Sequence, residues 1–162
     1  MAFTPAQLLA KFDELGIETE TREHAPVFTV AESKRLRGDL AGGHCKSLFL
    51  KDKKGALWLV VALEDRAIEM KALRRTIGAA PLSFARPEIL ADVLGITPGA
   101  VTPFALVNDT RLRVRVVLDA AMMGETVLNY HPLTNAATTS ISPADLLAFI
   151  RACGHEPAIL AL

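Results

Sequence analysis

Leu8, Leu9, Phe12 and Leu15 recur at the spacing of one helical face. Thr4-Pro5-Ala6-Gln7 supplies the start of that helix. Thr4 is a capping residue, Pro5 suits the first helical position and Gln7 completes a capping box. Gly16 supplies the stop. Ile17 to Arg22 then alternates as an edge strand does. Thr29-Val30-Ala31-Glu32 is a second capping box, opening a short basic helix that ends near Gly38-Asp39, before the Gly42-Gly43 pair. Between flexible joints such a helix is either a lid over a site or a plain connection.

Two apolar runs, His44 to Leu50 and Ala56 to Leu63, flank Asp52-Lys53-Lys54-Gly55, a turn signal, and predict a hairpin at the centre of a sheet. Ile68 to Ile77 predicts a helix with Ile68, Leu73 and Ile77 inward and Lys71, Arg74 and Arg75 exposed. Pro87 to Leu94 predicts another, begun by proline and stopped by Gly95. Phe104 to Val107, Arg113 to Leu118, Thr126 to Tyr130 and Thr138 to Ile141 read as strands. Ser142-Pro143-Ala144-Asp145 starts a last helix, with Leu146, Leu147, Phe149 and Ile150 inward and Gly154 as its stop. Ala158 to Leu162 returns to the sheet edge. These elements predict an α+β fold: a curved, mixed, mainly antiparallel sheet with short flanking helices, in one domain over residues 1–162.

Composition agrees with a globular chain, at 51% apolar and 22% charged residues over 162 positions. No apolar run reaches the ~18 residues of a membrane span, and no secretory leader is evident. Cys45 and Cys153 suggest reduced thiols rather than a disulfide framework, and the expected compartment is the cytoplasm. A formal net charge of zero argues against broad nonspecific nucleic-acid binding. Local basic clusters remain, at Lys34-Arg35-Arg37, Lys51-Lys53-Lys54, Lys71-Arg74-Arg75 and Arg111-Arg113-Arg115. Each is a solvated face or a phosphate contact.

The most informative stretch is the loop from Gly95 to Asp109, with Pro98-Gly99 and Thr102-Pro103 inside it. Proline and glycine turn a chain, and glycine also permits close backbone approach. Such a loop is either an ordinary connection or a place where bare N–H groups meet a developing oxyanion. Three further motifs precede and follow it: His24-Ala25-Pro26-Val27-Phe28-Thr29, His44-Cys45-Lys46-Ser47-Leu48-Phe49-Leu50, and His131-Pro132-Leu133-Thr134-Asn135-Ala136-Ala137-Thr138-Thr139. Together, and in this order, the four resemble the YbaK/ProX/PrdX family of free-standing aminoacyl-tRNA deacylases, related to the insertion domain of bacterial prolyl-tRNA synthetases. The resemblance is greatest to the PrdX (ProXp-ala) branch and spans nearly the whole chain.

That resemblance implies hydrolysis of mischarged proline tRNA, Ala-tRNA(Pro) first, with Cys-tRNA(Pro) or another mischarged tRNA as the alternative. Noncatalytic binding modules for tRNA or synthetase, or for a small molecule, are the readings outside catalysis. The implied partners are the tRNA acceptor end and prolyl-tRNA synthetase, with no membrane and no cofactor. Lys46 is implied to contact the terminal nucleotide; Ser47 departs from the asparagine of the family's H-x-K-N-L-F-L pattern. If Lys46 shares a face with Leu48 and Leu50, its ammonium must snorkel, find an acceptor or meet a phosphate. Gly99 is expected to cradle the oxyanion, and His131, after a strand, to orient the substrate amine or ribose. Phe28, Thr29, Ser47, Thr102, Asn108, Asn135 and Thr138 are expected in the pocket wall. Four histidines without HxxxH or HExxH spacing argue against zinc. With no GxSxG elbow and no base beside Cys45, direct attack by water is the expected mechanism.

Overall fold

The computed structural model describes residues 2–26 and 42–162. The first helix, α1 (Pro5–Glu14), begins as its sequence predicts: Gln7 N donates to Thr4 Oγ1 at 3.1 Å, and Thr4 N donates to Gln7 Oε1 at 2.9 Å. Its apolar stripe buries Leu8 and Phe12. The edge strand β1 (Glu20–Glu23) follows. The basic helix expected after Thr29, together with Phe28 and Thr29 themselves, lies outside the described residues.

The hairpin β2 (Gly43–Asp52) and β3 (Leu57–Leu63) forms the middle of an eight-stranded sheet ordered β1-β7-β6-β2-β3-β5-β8, with β4 (Leu82–Phe84) paired to β2. The remaining strands are β5 (Val114–Asp119), β6 (Leu128–Tyr130), β7 (Ala137–Ile141) and β8 (Ala158–Leu160). Among the described residues four pairings are antiparallel and three, β2–β6, β3–β5 and β5–β8, are parallel. The sheet is therefore mixed, with antiparallel pairs in a narrow majority. Helices α2 (Met70–Ile77), α3 (Pro87–Leu94) and α4 (Pro143–Ala152) flank it. No helix among the described residues is long and apolar enough to cross a membrane.

Strand side chains alternate between faces, so the β2–β3 register sorts the core in two. Lys46, Leu48 and Leu50 lie opposite Ala62, Val60 and Trp58, on the face that α2 covers with Leu73. Phe49, Leu59 and Val61 face the larger core, with Leu8, Phe104 and Phe149. There Phe104 is wholly buried, its ring centroid 5.0 Å from Phe12, 5.6 Å from Tyr130 and 5.7 Å from Phe149.

Two expectations change. Phe104 to Val107 is not a strand but part of a 3-10 helix, Pro103–Asn108. Pro103 opens it, and Thr102 Oγ1 accepts from Phe104 N at 3.3 Å. A four-residue apolar run has no period by which strand and buried helix can be told apart. Nor is the Gly42-Gly43 pair a loose joint. Gly43 N donates to Val127 O at 2.8 Å, and Gly42 sits at φ +100° with room for no side chain: an added Cβ would lie 2.8 Å from Val127 O. These glycines let the start of β2 close against β6.

Candidate active site

Where β2 leaves its parallel contact with β6, a hollow of about 30 Å³ opens between the strands and the 95–109 loop. Cys45, Ser47, Val101, Tyr130, His131 and Thr138 line it, with Glu64 at its side. The pleat of β2 turns Cys45 and Ser47 this way, and Val101 is the loop's contribution. Gly99 lies two residues earlier, in the 3-10 turn Pro98–Ala100. The hydrogen bond of that turn runs from Ala100 N to Thr97 O at 3.0 Å and leaves the Gly99 and Val101 N–H groups out of it.

His131 is half-buried, and its Nδ1 lies 3.2 Å from the Ala137 carbonyl oxygen. A carbonyl only accepts, so Nδ1 carries the proton and Nε2 keeps its lone pair. Burial, the largest influence, holds the His131 pKa below its ordinary 6.5; the Ala137 bond works against that, and neighbouring His24 adds to it. A depressed histidine pKa gives stability that is present above 6.5 and lost as pH falls through the lower folded value, because the unfolded chain takes up the proton first. Acidification below 6.5 is thus expected to lower the melting temperature more for the wild type than for His131→Gln, measured by circular dichroism.

Beside it, the His24 Nδ1 donates to Ala25 O at 2.8 Å, and its Nε2 lies 2.8 Å from Thr138 Oγ1. Sequence reasoning treated His24 as a lone histidine; the antiparallel pairing of β1 with β7 brings it to the hollow's edge. Cys45 and Tyr130 were likewise missed, although the alternation of β2 places position 45 on the same side as 47. Burial, chiefly, pushes the Cys45 thiol up to about 12, with Glu64 and Glu125 adding to it against bonds from Tyr130 and the Asn129 backbone. Such a thiol is protonated and inert at neutral pH. It is wall, not nucleophile.

Lys46 takes the other face. Its Nζ donates to the Arg66 carbonyl oxygen, while the Arg66 side chain pairs with the wholly buried Asp119, Nε to Oδ2 at 3.4 Å. The expected convergence of Lys46 and the loop on one hollow is not the arrangement of the described residues: β2 stands between them. Thr102 and Asn108, expected in the wall, serve the loop itself. Thr102 caps the 3-10 helix, and Asn108 accepts from Phe3 N at 2.8 Å while donating to Leu94 O at 2.9 Å. Asn135 is half-buried in the turn between β6 and β7 and is not among the hollow's lining. Ser47, His131 and Thr138 are the expected residues that the structure brings together. Among the described residues no group of three or more His, Cys, Asp or Glu could hold a metal ion.

A model of the aminoacyl-tRNA editing domain matches residues 24–149. The prolyl-tRNA synthetase associated domain-containing protein 1 of Danio rerio is 41% identical over 165 residues, covering 98% of this chain and 90% of that protein. The prolyl-tRNA editing protein ProX of Acetoanaerobium sticklandii is 39% identical over 149 residues, with 91% of each chain covered. The crystal structure of hypothetical protein APE2540 superposes with a TM-score of 0.73 at 22% identity, over 94% of this chain and 97% of that one, a likeness of fold. Motifs, fold and relatives agree, and the chain belongs to the aminoacyl-tRNA editing family, in its YbaK/ProX group, as an aminoacyl-tRNA deacylase.

Proposed function

We propose that this deacylase acts on proline tRNA carrying an amino acid smaller than proline, alanine above all, as a free-standing editing factor. The observation that supports it is the size of the hollow, about 30 Å³, with Val101 of the loop in its wall. A cavity needs ~10–15 Å³ of this measure to hold one water. So narrow a hollow suits a methyl group better than a three-methylene ring. A synthetase pocket shaped for proline gains only ~1–3 kcal/mol per methylene in rejecting alanine, so a second site that sorts by exclusion completes the discrimination. The names of the Danio rerio and Acetoanaerobium sticklandii relatives support proline tRNA as the carrier.

In this reading water attacks the ester carbonyl directly, since the Cys45 thiol is protonated. The N–H groups of Gly99 and Val101 receive the developing oxyanion, which they stabilise more than the ground-state carbonyl. The lone pair on His131 Nε2 accepts from the substrate's ammonium or ribose hydroxyl, and the ribose hydroxyl in turn orients the water. Ser47 and Thr138 present hydroxyls to the sugar. One N–H of the Lys46 ammonium is taken by Arg66 O, leaving two for a phosphate on the far face of β2. Its part is therefore affinity for the RNA strand that leads to the hollow.

The test is a panel of purified proline tRNA charged with labelled alanine, cysteine, serine or proline. Alanine is expected to be released at least 10-fold faster than proline. Release of cysteine without alanine would overturn the choice of substrate, and release of nothing would leave a binding module.

A further inference from the structure

Asp119 ends β5 two residues beyond Val117, so the pleat turns it toward the smaller core of Leu50, Val60 and Val117. There it is wholly buried. Its Oδ1 accepts from Leu162 N at 3.1 Å. Its Oδ2 has no hydrogen bond among the described residues and meets Arg66 Nε at 3.4 Å. A carboxylate so placed is costly without a cation, and Arg66 is that cation. Such a pair adds little net stability, because desolvation offsets the attraction. What it constrains here is a position.

Arg66 is held at three points. Its N donates to Leu63 O at 3.0 Å, closing the turn after β3, its side chain donates to Leu162 O, and its Nε faces Asp119. The Arg66 carbonyl is thereby fixed, and that oxygen is the one that accepts from Lys46 Nζ. The register explains the reach. Lys46 pairs with Ala62 and Val61 pairs with Leu118, so one step further Lys46, Ala62 and Asp119 stand in a row across three strands. The middle of that row is a methyl group, and no bulky side chain there separates the lysine from the Arg66 segment. An ammonium on a four-carbon stem is mobile, and ordering it on a phosphate costs affinity. A stem already tethered has lost that freedom beforehand.

We infer that Asp119 and Arg66 are positioning residues for Lys46: the buried pair fixes the Arg66 carbonyl, and the carbonyl holds the ammonium where the RNA strand meets it. This rests on the reading of the chain as a tRNA deacylase with Lys46 on that strand, and it adds what holds the lysine. The test uses the full chain, isotope-labelled at lysine, with Lys46→Ala identifying the Lys46 ammonium signal by NMR. Asp119→Asn keeps an acceptor for Leu162 N and removes the charge that Arg66 meets. Arg66→Gln, at a partly exposed side chain, is the milder second variant. Both are expected to shift or broaden the Lys46 signal. Both should raise KM for alanine-charged proline tRNA about 3- to 10-fold, the effect of freeing one rotamer-rich side chain. The same variants should leave kcat within about twofold, since uniform binding is what is lost. In a Lys46→Ala background neither change should raise KM further, whereas a merely structural role would add its loss in full. An unmoved Lys46 signal in both variants overturns the inference, as does a KM loss that persists without Lys46, or a KM that stays at the wild-type value. A wild type that releases no amino acid from any charged tRNA sinks the deacylase reading, and the Lys46 signal then decides the positioning by itself.

Discussion

Asp109→Ala is expected to destabilise the protein by about 3–5 kcal/mol, since it removes the acceptor shared by several buried donors. The carboxylate is 2% exposed and gathers three donors: Arg113 N at 3.0 Å, Val114 N at 2.9 Å and His155 Nε2 at 2.9 Å. Alanine leaves all three without an acceptor, and each buried orphan costs ~1–3 kcal/mol. Domains are stable by only ~5–15 kcal/mol, so a large share of the total is lost. At ~2–4 °C per kcal/mol for a chain of this size, the melting temperature should fall by about 6–20 °C. Asp109→Asn keeps the shape and one acceptor oxygen and should lose less. A thermal melt of Asp109→Ala within 2 or so degrees of wild type would show that this carboxylate does not fasten the end of the loop to β5 and to His155.

Phe104→Ala is expected to cost ~3–5 kcal/mol as well, as large-to-small changes of buried aromatics do. Its ring meets those of Phe12, Phe149 and Tyr130, and it has no exposed surface. The effect reaches function, because Val101 and the Gly99 turn hang from the same 3-10 helix, and Tyr130 lines the hollow. Denaturant unfolding should show the loss of stability, and release of alanine from mischarged tRNA should fall even at temperatures where the variant is folded. Phe104→Leu, which fills more of the space, should recover most of the stability. A folded Phe104→Ala variant with undiminished turnover would mean that the loop is positioned by something other than this ring.

How much of this was legible beforehand follows the range of the forces. Thr4 and Gln7 announce α1 because a capping box is closed within four residues, and Gly95 ends α3 at φ +65° for an equally local reason. The hairpin reads correctly because seven paired positions of β2 and β3 carry a consistent period. Phe104 to Val107 misleads because burial on all sides erases period. Asp109 gives no sign of its role, since its histidine partner is 46 positions away. Of the hollow's lining, motifs pointed to Ser47, His131 and Thr138, while the placement of Cys45 and Tyr130, and of His24 at its edge, depends on β6 and β7 arriving beside β2. The sequence left open whether Lys46 shares a face with Leu48 and Leu50; the β2–β3 register shows that it does, across the strand from Ser47.

This alternation has a consequence for how the molecule tolerates change. Lys46 and Ser47 are neighbours in the chain, yet one looks toward the α2 side and the other into the hollow. A single-residue slip of β2 would exchange them, seating an ammonium among small polar groups and turning a hydroxyl toward the helix. The Gly42-Gly43 clamp on Val127 opposes that slip, so two residues without side-chain chemistry help hold the register that gives the hollow a hydroxyl and the α2 side an ammonium.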